Sequence, residues 1–274
     1  MFKCLFCVCA SMYFDIAMPI MLFVVTLVSL FLNEKVEAKL KSVFEGKELT
    51  IKDTILLVIT MGLIISLIVF IPQFAIMIIF LFSYSMLLFM FGYVFSNERW
   101  YMSIISPIAF ILLYLFFHET LVWSEYLVNI YAIIFAVLIS LYLGSLFTWK
   151  TTLFFSVALT VLDVMLVLMT GTMVSAATTT VSLNLPVVVT LPIIPALNGK
   201  MLLGLGDFFF AGLLAMQNSK KFGRNFGILT IVTMTVSFFI FEALLLTYRP
   251  GPFPGTVMII CGWLPLVAFK KWKH

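Results

Sequence analysis

The sequence has little charge: 10% of its 274 residues are Asp, Glu, Lys or Arg, while 64% are hydrophobic. A water-soluble domain is about a quarter charged and about half apolar, so a soluble globular fold is excluded. Histidine is nearly absent, with His118 and His274 the two examples. They are far apart in sequence and no H-E-x-x-H occurs, so the chain has no zinc-ligand spacing. Neither histidine falls inside an apolar run, which removes the Ser–His pair that a serine protease of the membrane needs. Cysteine is limited to Cys4, Cys7, Cys9 and Cys261. The C-x-x-C-x-C cluster stands in an apolar segment without a neighbouring histidine and reads as packing, so no metal is expected. No basic domain gathers the net charge of +4, and nucleic-acid binding is unsupported. Small residues suited to signal-peptide cleavage do not follow Lys3 and the first apolar run, so that run is expected to stay as a first membrane span.

What is present is hydrophobic length. A helix crossing a hydrocarbon core about 30 Å thick needs about 17–25 apolar residues, and nine runs qualify. They cover Met12–Leu32, Thr54–Ile71, Gln73–Phe95, Met102–Phe117, Leu127–Phe147, Thr151–Thr170, Met201–Gln217, Phe226–Tyr248 and Phe253–Phe269. The expectation is an all-α polytopic membrane protein of nine transmembrane helices forming a single domain over 1–274. Helices one to five (1–148) form a scaffold, and helices six to nine (150–274) carry the chemistry. Between the first two runs, Asn33–Asp53 is polar, with Glu37 and Lys41 at i,i+4 spacing, and predicts a short, solvated surface helix.

Lys and Arg placement predicts orientation. With nine spans, thirteen of the sixteen basic residues fall on the side of the C-terminus. Lys3, Lys200 and Arg249 fall opposite. The N-terminus is therefore expected outside and the C-terminus in the cytoplasm.

Two carboxylates lie inside the runs. Asp207 follows Gly204-Leu205-Gly206 in a stretch, Asn198–Gln217, that reads as one apolar helix; Asp163 lies in the preceding run. A carboxylate at membrane depth costs about 2.5–3.5 kcal/mol on insertion scales and marks a functional site. At about 1.5 Å per residue, Asp163 is about 20 Å from the cytoplasmic end of its helix and Asp207 about 10 Å from the outer end. In a core about 30 Å thick these depths coincide. Two carboxylates at one level share a proton, and the pair can activate water against a peptide carbonyl without a cofactor. Glycines lacking Cβ admit a substrate backbone beside Asp207. Glu242, near the outer end of the eighth run, is expected to reach the interface; Asp15, at the outer end of the first, needs only solvent or a helix dipole. His118 reads as an interface residue.

The GLGD of Gly204–Asp207, one span after a mid-helix aspartate, resembles the presenilin and signal peptide peptidase family of intramembrane aspartyl proteases, its archaeal branch above all. Pro252-Phe253-Pro254 is similar to the Ala-Leu-Pro of that family's proline motif, with Gly251 in place of the first proline. Leu162 stands where the family usually has tyrosine. The resemblance implies a nine-helix presenilin-like fold, catalytic Asp163 and Asp207, and substrate contacts at Gly204, Leu205, Gly206, Pro252, Phe253 and Pro254. It implies no cofactor and no metal. The expected partners are the lipid bilayer and membrane-helix or signal-peptide substrates entering with a cytoplasmic N-terminus; a homo-oligomer stays open. Between the aspartates, Val181–Pro195 is uncharged, rich in β-branched residues and broken by Pro186, Pro192 and Pro195. Its strand propensity fits either an edge that pairs with an unwound substrate or a re-entrant loop packed on the bundle. Two alternatives remain: a proton-coupled transporter or channel using Asp163, Asp207 and Glu242 as a relay, and a prepilin-peptidase-type membrane aspartyl protease. The latter's motif is normally followed by a polar stretch, whereas Phe208-Phe209-Phe210 follow here.

Overall fold

Long apolar runs leave backbone amides no partner but their own helix, and helices dominate the fold. The computed structural model describes residues 13–43, 46–96, 99–195, 199–248 and 251–272; Cys4, Cys7 and Cys9 lie outside the described residues. Helix α1 spans Ala17–Val43. Helix α2 (Ile51–Leu67) closes on a 3-10 turn, and α3 covers Gln73–Phe95. A short α4 (Trp100–Ser103) leads into α5 (Ile105–Phe117). A π-helical turn, Trp123–Leu127, opens α6 (Val128–Leu146), and a second, Met165–Met169, follows α7 (Trp149–Val164). Then come α8 (Thr172–Ser182), strands β1 (Val188–Pro192) and β2 (Lys200–Gly204), α9 (Leu205–Phe222), α10 (Arg224–Tyr248) and α11 (Gly255–Trp272). Thr50 and Thr148 start α2 and α7 with reciprocal capping boxes.

Seven helical stretches among the described residues are long and apolar enough to cross a membrane: α1, Ile51–Phe70, α3, Trp100–Phe117, Trp123–Leu146, Trp149–Met169 and α10. The protein is thus an all-α polytopic membrane protein. The two remaining runs fall short for identifiable reasons. The seventh run does not start as helix: Lys200–Gly204 is a strand, and the helix beginning at Leu205 carries Asp207, Lys220 and Lys221. In α11 the apolar stretch Gly255–Lys270 is shorter than the others.

The bundle is organised around α9. Every residue from Phe208 to Asn218 is buried, enclosed by α1, α6, α7, α10 and α11. Small residues bring the helices close: a Cβ on Gly212 would come within 2.8 Å of Ser140 Oγ and 3.8 Å of Ser29 Cβ. Both serines return their hydroxyls to their own helices, at Ala136 and Val25. By contrast α2, α3 and α5 present large apolar side chains outward, including Leu56, Phe82 and Phe116, a surface suited to lipid.

The charged segment after the first run is not a separate surface helix. It continues α1 without a break to Val43. The cause is a polar network across the bundle: Glu37 pairs with Lys41 at 2.9 Å and also with Lys220 of α9 at 2.9 Å. Asn33 donates to Glu37 and Lys220 donates to the Gly144 carbonyl. Half-buried and paired across helices, Glu37 ties α1 to α9 where a solvated face was expected.

Strands β1 and β2 form an antiparallel hairpin in register from Val188↔Gly204 to Pro192↔Lys200. Two glycines two residues apart weaken helix at 204–206. The Leu205 amide donates to the Val187 carbonyl at 3.0 Å, so the ladder continues until the first turn of α9.

Candidate active site

Asp163 is the penultimate residue of α7, two residues before the π-helical turn begins, a distortion frequent at functional sites. Asp207 is in the first turn of α9, three residues after the N-cap Gly204, whose backbone is extended. The Asp207 carboxylate lies back toward Gly204: a Cβ there would stand 3.6 Å from its Oδ2. The N-terminus of α11 then joins the two. Thr256 donates its hydroxyl to Asp163 Oδ2 at 2.6 Å and directs its amide to the same oxygen at 3.4 Å. Its neighbour Gly255 lies against the other carboxylate: a Cβ there would come within 2.5 Å of Asp207 Oδ1 and 2.6 Å of Cγ. Consecutive residues of α11 therefore touch the two aspartates, which are close enough for their charges to interact. Both remain half-buried.

The other residues singled out in the sequence divide. Gly206 is exposed, with open space where a Cβ would stand. Leu205 is buried and its amide is spent on Val187. Pro252 is exposed, Phe253 stacks on Phe241 with centroids 6.0 Å apart, and Pro254 is buried just before α11 begins. Leu162 lays its side chain over Gly62 of α2; a Cβ on Gly62 would meet Leu162 Cδ1 at 2.9 Å. That position packs α7 on α2.

Sequence reasoning missed what the first half of the chain does for the segment between the aspartates. Tyr84 of α3 donates to the Pro186 carbonyl at 3.0 Å, and Tyr114 of α5 to the Leu183 carbonyl at 2.9 Å. Trp123 donates to the Asn184 carbonyl at 2.9 Å, and Asn184 in turn donates to the carbonyl of His118. Asn129 acts as a one-residue strand: its Oδ1 accepts the Thr190 amide at 2.7 Å and its Nδ2 donates to the Thr190 carbonyl at 3.0 Å. At Thr190, β1 is thus occupied on both edges, by β2 and by Asn129. Strand β2 pairs with β1 on one edge, and its other edge carries no strand among the described residues. The signal was faint: aromatic residues in a membrane bundle read as bulk hydrophobicity until a carbonyl is found in reach.

Asp15 takes the helix-dipole place among those expected for it, while Glu242 is placed otherwise than expected. Asp15 is fully buried, accepts the amides of Ala17 and Met18 at 3.1 Å each as the cap of α1, and accepts the Ile194 amide at 2.8 Å. It anchors the hairpin segment to α1 instead of facing solvent. Glu242 does not reach the interface. It is fully buried, both carboxylate oxygens lack a partner among the described residues, and its charge interacts with that of Asp15. No cluster of three metal-ligating side chains occurs among the described residues.

No protein-family model matches the chain, and no curated protein matches it significantly.

Proposed function

We propose that the protein is an intramembrane aspartyl protease that hydrolyses peptide bonds of membrane helices or remnant signal peptides. The observation that carries this reading is the meeting of Asp163 and Asp207 on the consecutive residues Gly255 and Thr256. In this reading α9 and α11 also cross the membrane, completing a nine-helix presenilin-like domain with its N-terminus outside and its C-terminus in the cytoplasm. A reporter fused after His274 checks that orientation: an outside signal reverses it. One carboxylate takes a proton from water as the oxygen attacks the peptide carbonyl, while the other, protonated, gives its proton to the carbonyl oxygen. As the tetrahedral intermediate collapses, the C–N bond breaks, the amine takes a proton from the first aspartate, and the second recovers its own. No metal or organic cofactor enters the scheme.

A peptide bond inside a helix is shielded by the helix's own hydrogen bonds, so the substrate must be extended before it is cut. The open edge of β2 offers such a segment backbone partners, and the strand leads directly into Gly204, Gly206 and Asp207. This differs from a substrate edge on Val181–Pro195, because β1 is already occupied on both sides at Thr190. Cleavage of a fluorescent membrane-helix substrate by purified protein, with and without an aspartyl-protease transition-state analogue, tests the reading. Blocked cleavage supports it; a folded but inert protein that passes protons across liposomes supports the transporter alternative instead.

A further inference from the structure

We infer that Thr256 is a positioning residue that fixes Asp163 as the water-activating base, with Oδ1 as the base atom. This rests on the protease reading above. Both Thr256 donors converge on a single oxygen, Oδ2, by the hydroxyl at 2.6 Å and the amide at 3.4 Å. At 2.6 Å the hydroxyl contact is a close one, as suits donation to a carboxylate. Donation to the charged form favours that form. Oδ1 accepts no protein hydrogen bond among the described residues and is the oxygen left to receive a proton. Asp207 accepts no side-chain hydroxyl among the described residues, and Gly255 leaves no room for a side chain beside it.

The two aspartates are chemically alike, and the asymmetry between them comes from one residue of a third helix. Water gives its proton to Asp163 Oδ1 as its oxygen bonds to the peptide carbon, and Asp207 protonates the carbonyl oxygen. Asp163 then carries the proton that the departing amine needs. Thr256 touches neither water nor peptide in this scheme; it acts through Asp163. Being 4% exposed and donating across 93 residues of sequence, it also locks α11 to α7.

The test is Thr256→Val, which keeps the shape and the amide but removes the hydroxyl, beside Thr256→Ser, which restores it. Thr256→Ala replaces the valine variant if that fails to fold. Loss of a hydrogen bond to a charged group predicts a fall of about 10- to 100-fold in kcat, with KM nearly unchanged, and recovery in Thr256→Ser. A second readout does not depend on proteolysis. Dicyclohexylcarbodiimide modifies protonated, accessible carboxyls, so labelling at Asp163, mapped by mass spectrometry at one pH, rises in Thr256→Val and returns to the wild-type level in Thr256→Ser. Wild-type kcat and labelling in Thr256→Val overturn the inference. So does a loss of activity that serine fails to restore, which makes the residue a packing element. If the wild type cleaves nothing but labelling still follows the hydroxyl, the protease reading fails while the control of Asp163 by Thr256 stands.

Discussion

The tightest constraint at the paired aspartates is a missing side chain, which makes Gly255→Ala the sharpest perturbation. A Cβ at this position would stand 2.5 Å from Asp207 Oδ1, 2.6 Å from Cγ and 2.7 Å from Oδ2. Ordinary contact begins near 3.4 Å, so the overlap is close to 1 Å on three atoms at once. Rotating the carboxylate about its own bond does not relieve it, because Cγ lies on that axis. Either Asp207 leaves its position or the start of α11 withdraws, and withdrawal also pulls Thr256 from Asp163. Overpacking of this kind costs about 1–3 kcal/mol of stability, and a displacement of about 1 Å at reacting groups costs about 100-fold in rate. Gly206→Ala is the matched control, since nothing lies within 4 Å of a Cβ there. It gains up to about 1 kcal/mol from helix propensity but narrows the approach to Asp207, so its effect falls on KM. The assay is cleavage of a fluorescent membrane helix, with melting temperature in detergent measured in parallel. A Gly255→Ala protein with wild-type kcat refutes the geometry on which the site is built.

Two further outcomes test the surroundings. Asn129→Ala leaves the Thr190 amide and carbonyl without their partner, at about 1–3 kcal/mol for each buried group left unsatisfied. Hydrogen exchange at the Thr190 amide should accelerate and the melting temperature fall; an unchanged exchange rate means another group holds that edge. Glu242→Gln removes a buried acidic group without a partner among the described residues and should raise stability by about 1 kcal/mol. A lower melting temperature for Glu242→Gln would instead reveal that the carboxylate has a partner.

Much of the helical layout was legible because hydropathy alone dictates it. The run Gln73–Phe95 is α3 to the residue, and Phe226–Tyr248 differs from α10 only at its start. The pairing of Asp163 with Asp207 was suggested by a helical rise per residue, but the depth of Asp207 was counted over Lys200–Gly204, which is a strand, so that arithmetic does not carry it. What escaped depends on partners distant in sequence. Lys200–Gly204 reads as helix by hydropathy and becomes a strand because Val188–Pro192 is there to pair with it. The charges of Asn33–Asp53 read as a surface until Lys220 supplies a partner for Glu37 from α9. Short apolar runs are ambiguous between helix and strand in any case. The hydroxyls of Tyr84 and Tyr114 and the amide of Asn129 carry no periodic signal, and their partners are carbonyls of an irregular segment. Thr256 was passed over for the same reason: one threonine after a proline motif is ordinary until Asp163 is found 2.6 Å away.

The central claim is that Asp163 and Asp207 together hydrolyse a peptide bond within a membrane helix. The most direct measurement is mass-spectrometric detection of the two cleavage products from a defined membrane-helix substrate in liposomes, for the wild type, Asp163→Asn and Asp207→Asn. Matched products are expected from the wild type and none above background from either folded variant. Products that persist in a folded Asp163→Asn or Asp207→Asn protein would contradict it.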